Sequence, residues 1–235
     1  MLEEQEIFNN YVNSFNKTHA KIDLKYKHTY RVVSYASQIA ESLDLSEEDI
    51  NKAKICALFH DIGRFNQIKM FNNLDDNVLF DHGDEGYRVL KELGYNDEIV
   101  LLSTKYHNKY SVPDDLDARV KMFCNITRDA DKLDILFTQY LDVSKNETIG
   151  NELFERIYTK QLVSNDLVTN SSEAMIRGLS FIFDINFNKS FEIINDAGLL
   201  NKKIDILLKK CNDKRVKELK SFINKYIEER LNYVR

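Results

Sequence analysis

Residues 46–63 read SEEDINKAKICALFHDIG, and the punctuation of this segment decides the fold. Ser46 is an N-cap residue by type, acids fill the turn behind it, and Gly63 is a residue type that ends helices. One helix is therefore predicted, with Ala57, Leu58 and Phe59 toward a core and His60 and Asp61 in its last turn. A buried carboxylate beside a buried imidazole is costly unless something compensates both. What compensates them is the functional question that the sequence poses.

The same grammar extends outward in both directions. Leu24, His28, Val32, Tyr35, Ile39 and Leu43 recur at spacings of three and four, which predicts a helix over 24–43 with His28 on its inward stripe. A further helix is predicted from about Asp81 to Leu93, closed by Gly94. The next follows Asp97 and carries Ile99, Val100, Ser103, Tyr106 and His107. Pro113 marks a loop, and DARVKMFCNITRDADKLDILFTQYL (117–141) reads as one long helix. Helical segments continue to a last one with Val216, Leu219, Ile223, Tyr226, Ile227 and Leu231 on one face. One proline and seven glycines leave little material for tight β-turns, and no strand pattern or internal repeat is present. The expected fold class is all-α: a helical domain over 1–142 and a C-terminal helical extension over 143–235, packed on it or continuous with it. Residues 66–81, NQIKMFNNLDDNVLFD, are expected to form a flap over whatever site the first domain holds.

With 235 residues, 43% hydrophobic and 30% charged, the chain has the balance of an ordinary globular protein that can bury a real core. Its net charge of −5 is spread through mixed acids and bases, which argues against a nucleic-acid polymer as partner while leaving room for a local basic pocket for a small anion. The acidic start, MLEEQEIFNNYV, is expected to be neither a secretory signal nor a membrane anchor. No window approaches the ~18 apolar residues that span a bilayer, so a cytoplasmic location without membrane contact is expected. Cys56, Cys124 and Cys211 are odd in number and far apart, which suits reduced structural thiols.

Four of the five histidines fall between positions 28 and 107. In order, the polar residues of interest are His28, the pair His60 and Asp61, His82, His107, and an aspartate in RDADKLD. Stretches of 31, 20, 24 and 23 residues separate them. These are helix-plus-loop lengths, so each group would project from a different helix into one bundle centre, a common way of building a metal site. Imidazole and carboxylate suit divalent manganese, iron, cobalt, nickel, zinc or magnesium, and no cysteine is placed to make a thiolate site. The donor set exceeds what one tetrahedral ion needs and could hold two ions that share a carboxylate and activate a water as nucleophile.

The order H, HD, H, H, D resembles the HD superfamily of metal-dependent phosphohydrolases. The resemblance is carried by HTYRV at 28–32, LFHDIGRF around the central pair, DHGDEGYRVL at 81–90 and ADKLD at 130–134, and covers roughly residues 20–140. It implies an HD-domain helical bundle in which His28, His60, Asp61 and Asp131 are core metal ligands. His82 and His107 match the additional histidines of members that bind two ions, with Asp61 as the bridge. The chain has HDIGR in place of HDIGK and lacks a downstream GYP motif, which points away from the cyclic-dinucleotide phosphodiesterase branch. The implied activity is hydrolysis of a phosphomonoester or phosphodiester in a small phosphorylated substrate such as a nucleotide. Arg64 and Lys132 are candidates to hold a phosphate oxygen.

Each residue has a plainer reading. His28 could be a satisfied core histidine, His60 with Asp61 a helix-end ion pair, His82 part of a helix N-terminus and His107 a loop residue; Arg64 and Lys132 could be solvated or capping charges. His19 reads as a surface residue. For the closing aspartate, the stripe Phe123, Ile126, Ala130, Leu133, Phe137 points nearer to Asp134 and Asp129, whereas the ADKL pattern selects Asp131; Asp129 stays as the alternative ligand. Two other functions share this ligand set: a di-iron oxygenase resembling myo-inositol oxygenase, and a non-catalytic nucleotide sensor.

Overall fold

The computed structural model describes residues 1–76, 79–138 and 142–232, and among them α-helices follow one another with no β-strand. The chain divides into two compact units, Met1–Asp134 and Ile135–Arg235.

The first unit contains α1 (Leu2–Asn13), α2 (Ala20–Glu41), α3 (Glu47–Phe59), α4 (Ile62–Phe71), α5 (His82–Glu92), α6 (Glu98–Tyr106) and most of α7 (Ala118–Thr138). Helix starts follow the expected chemistry. The Ser46 hydroxyl accepts from the Asp49 amide at 3.2 Å, Asp81 from the amides of Gly83 and Asp84, and Asp97 from Val100. Helix α5 ends as predicted: Gly94 takes φ +80°, and the amides of Tyr95 and Gly94 return to the carbonyls of Leu90 and Lys91.

Gly63 does not end the first helix. α3 stops at Phe59, His60 is its C-cap, Asp61 at φ −100°, ψ 15° forms the joint, and α4 begins at Ile62. Gly63 lies inside α4 for a packing reason. A Cβ there would overlap the carbonyl oxygen of His82 and come within 2.6 Å of the Gly86 nitrogen. α4 and α5 therefore touch backbone to backbone, which brings His82 beside Asp61. Gly83 makes the matching approach to α6, where a Cβ would lie 2.6 Å from the Lys105 carbonyl.

On α2 the inward face begins with Ile22, not Leu24, whose exposure is 51%. His28, Val32 and Ile39 are buried as predicted. α7 carries no single apolar stripe: Phe123, Ile126, Ala130 and Leu133 are buried, but so are Thr127, Arg128, Asp129, Lys132 and Asp134. A helix buried around most of its circumference gives hydrophobic phase nothing to select. Residues 139–141 of the predicted helix lie outside the described residues. The segment expected as a flap is helical to Phe71, and its residues 77–78 also lie outside the described set.

The second unit contains α8 (Asn151–Tyr158), α9 (Ser171–Ser180), α10 (Asn188–Asp196), α11 (Leu199–Lys210) and α12 (Arg215–Asn232). α12 buries Val216, Leu219, Ile223 and Ile227, the predicted face. It packs on α8, α10 and α11. Cys56, Cys124 and Cys211 are free, buried thiols. No helix among the described residues is long and apolar enough to cross a membrane.

Candidate metal centre

His28 from the middle of α2, His60 and Asp61 from the α3–α4 joint, His82 from the first turn of α5, His107 at the end of α6 and Asp131 on α7 converge. Asp61 is the pivot. Its Oδ2 lies 3.4 Å from Nε2 of both His28 and His60, and its Oδ1 lies 3.4 Å from Nε2 of His82 and 3.6 Å from that of His107. Asp131 Oδ1 adds to the first pair, at 3.1 Å from His28 Nε2 and 3.8 Å from His60 Nε2. Within each pair the ring nitrogens nearly touch: 3.2 Å for His28 and His60, 3.0 Å for His82 and His107.

The opposite edge of every ring explains why those nitrogens face one another. Nδ1 of His60 meets the Ala57 carbonyl at 2.6 Å and Nδ1 of His107 the Thr104 carbonyl at 2.7 Å. Nδ1 of His28 meets Asp134 and that of His82 meets Asp76, both at 2.6 Å. These four partners only accept, and at His82 the Asp76 oxygen is closer to Nδ1 than the Asn108 amide nitrogen at 3.2 Å, so all four Nδ1 atoms donate and in the neutral ring each Nε2 is a bare lone pair. Lone pairs aimed at each other at 3.0–3.2 Å repel unless a cation sits among them. Nitrogen ligands at about 2.0–2.1 Å from one ion are separated by about this distance. The donor set thus fits divalent ions, and His28, His60 and Asp131 form one group able to hold an ion, His60, Asp61 and His107 another.

Charge around the two pairs differs. Burial and Lys25 disfavour the His28 imidazolium, but Asp131, Asp134 and Asp61 outweigh them and bring its pKa up to about 10. Three carboxylates there call for a positive charge, whether proton or metal. Burial, with the charge of Arg64, pushes His82 down to about 4, and burial lowers His107. Asp61 is itself buried, yet Lys25 and His60 hold its carboxyl well below the usual range.

Of the three aspartates on α7, the structure places Asp131 with its Oδ1 beside His28 and His60. Asp134, one turn on, holds His28 Nδ1 and is gripped by Arg31 through Nε at 2.6 Å and Nη2 at 3.0 Å. Asp129 is buried and belongs to neither ion-holding group. Arg64 reaches the cluster edge, with Nε 3.6 Å from Asp61 Oδ1, while its Nη1 donates to Gln67, to the Leu74 carbonyl and to Asp76. Lys132 is buried on α7 one residue past Asp131, a turn of about 100° away from it. The basic residue against the cluster is Lys25, whose Nζ donates to Asp61 Oδ2 at 2.6 Å. Sequence reading passed it over, although it stands three residues before His28 on the same helix. Arg128 was also passed over. It is buried and donates to the carbonyls of Tyr106, His107, Lys109 and Tyr110, clamping the segment that bears His107.

The model of the HD domain family matches residues 26–136. This segment is an HD domain. The match spans His28, His60, Asp61, His82, His107 and Asp131, and HD domains form a superfamily of metal-dependent phosphohydrolases that bind divalent ions. No curated protein sequence and no solved structure matches the chain.

Proposed function

We propose that the chain is a phosphohydrolase acting on the phosphoester of a small phosphorylated metabolite, nucleotides being the first class to test, with two divalent ions bridged by Asp61. One observation carries this reading: each oxygen of the Asp61 carboxylate faces its own pair of histidine Nε2 atoms. When bound, such ions polarise a phosphoryl oxygen and acidify water. The protein's part is to hold and orient. Asp61 spans the two positions, and the Nδ1 acceptors keep every ring in the ligating tautomer. Asp131, with 19% of its side chain exposed against 3% for Asp61, marks the side from which substrate enters. Lys25 and Arg64 flank Asp61, one near each oxygen, where a charge-assisted hydrogen bond can orient phosphoryl oxygens.

The test is metal analysis of the purified protein followed by a phosphoester panel with manganese, iron, cobalt, nickel, zinc and magnesium. Two equivalents of metal and release of phosphate or alcohol are expected. An inert panel with every ion overturns the reading. Oxygen uptake by the iron-loaded protein would put an oxygenase in its place, and tight nucleotide binding without turnover a sensor.

A further inference from the structure

Among the four histidines, His82 has the least regular support. His28 and His60 are held by groups within helices, and His107 by the carbonyl of Thr104 one turn back on its own helix. His82 is held by Asp76, which lies in the irregular segment between α4 and α5. That carboxylate accepts from His82 twice, at its Nδ1 (2.6 Å) and its backbone amide (3.2 Å). It also accepts from Arg64 Nη1 (3.2 Å), Gln67 Nε2 (3.3 Å) and Asn108 Nδ2 (3.4 Å). The donors come from α4, from α5 and from the residue after His107. Of the carboxylates that hold a histidine Nδ1, Asp134 takes its donors from α2 alone, whereas Asp76 gathers three elements.

We infer that Asp76 is a positioning residue that builds the His82–His107 half of the centre. Its role has two physical parts. Accepting from Nδ1 fixes the His82 tautomer, leaves Nε2 as the ligand and makes that nitrogen more basic. Accepting from Asn108 and Arg64 ties the end of α6 and the start of α4 to the first turn of α5, so His107 and Asp61 keep their spacing to His82. Losing it therefore acts on one ion position and spares the other, which is supported from within α2, α3 and α7. The inference rests on the two-ion reading.

The experiment titrates Mn(II) into metal-free protein and reads stoichiometry and affinity, with the spin coupling of a manganese pair as a second signal. Asp76→Ala is expected to weaken one of two equivalents by about 10- to 100-fold, leave the other unchanged and remove the coupling. Asp76→Asn keeps size and an acceptor oxygen but not the charge, so it should fold as the parent does and show a smaller loss at the same position. Gln67→Ala removes a different tie to the same segment and should leave both affinities intact. His82→Ala is the control for the two-ion reading. If it leaves both equivalents bound, that reading fails and the inference falls with it. If His82→Ala loses one ion while both Asp76 variants bind two at parental affinity, the inference alone is overturned. An equal loss in Gln67→Ala also overturns it, because the segment and not the carboxylate would then be what matters.

Discussion

The two halves of the centre use the same imidazole chemistry but are built differently. His28, His60 and Asp131 belong to α2, the α3–α4 joint and α7, and three carboxylates crowd His28. His82 and His107 stand at the ends of short helices, and their support comes from Asp76 in an irregular segment and from the Arg128 clamp. The first half is a property of helices; the second is a property of how helix ends are tied. Asp61 joins them, one oxygen to each.

That joint gives the largest expected effect. On the proposed two-ion reading, Asp61→Ala removes the carboxylate shared by both positions and leaves Lys25 without its partner, so both equivalents of metal should be lost and hydrolysis should fall by at least about 10³-fold. Retention of one tightly held ion would mean that the halves are independent sites, and the bridge would be wrong. Next in size, His28→Ala and His82→Ala should each lose one equivalent, and a different one. Competition by a chelator of known affinity separates the two, and identical titration curves for both variants would break the comparison.

The halves should also differ in pH dependence. With its pKa raised to about 10, His28 carries a proton at pH 7 that an entering ion must displace. Apparent affinity in this half should therefore rise about tenfold per pH unit from pH 7 and level off near pH 10. His82, pushed down to about 4, and His107, also lowered, are already neutral at pH 7, so the other half should be flat over the same range. Proton release measured in buffers of different ionisation enthalpy gives one proton for the first ion position and none for the second. Equal slopes would show that the carboxylates around His28 do not set its charge.

The same contrast explains what could be read from the sequence. Periodicity and capping residues located α2, α5 and α6, and the ordered histidines on them, His28, His82 and His107, are ones that the structure brings together around Asp61. Gly63 was misread because a glycine that permits backbone contact and one that ends a helix look alike until the partner, here His82 and Gly86 some twenty residues away, is known. Lys25 and Asp134 were open to discovery, since each stands three residues from a ligand on the same helix. Asp76 was not, because its donors come from three elements and no spacing rule links Arg64, His82 and Asn108. Arg128 was hidden in another way. A buried arginine on a helix buried all round carries no signature, and its acceptors are backbone carbonyls that any sequence supplies.

Arg128 accordingly sharpens the comparison with an intermediate effect. Arg128→Met strands the carbonyls of Tyr106, His107, Lys109 and Tyr110, and a loss of about 3 kcal/mol in stability is expected, measured by denaturant unfolding. Its metal defect should fall on the His82–His107 half.

The smallest expected effect tests what α7 gives the other half. Asp131 points an oxygen at His28 Nε2 and Asp134 holds the His28 ring, and these two positions lie one turn apart on one side of α7. Lys132 is buried on the same helix but rotated about 100° from Asp131, so it does not share the side of α7 that faces His28. Lys132→Met keeps the length of the side chain and should leave both equivalents of metal bound, with affinities within about twofold of the parent, whatever it does to stability. A selective loss of the His28 ion would mean that α7 tunes this half by charge as well as by ligation, and the division between a half made by helices and a half made by ties would have to be redrawn.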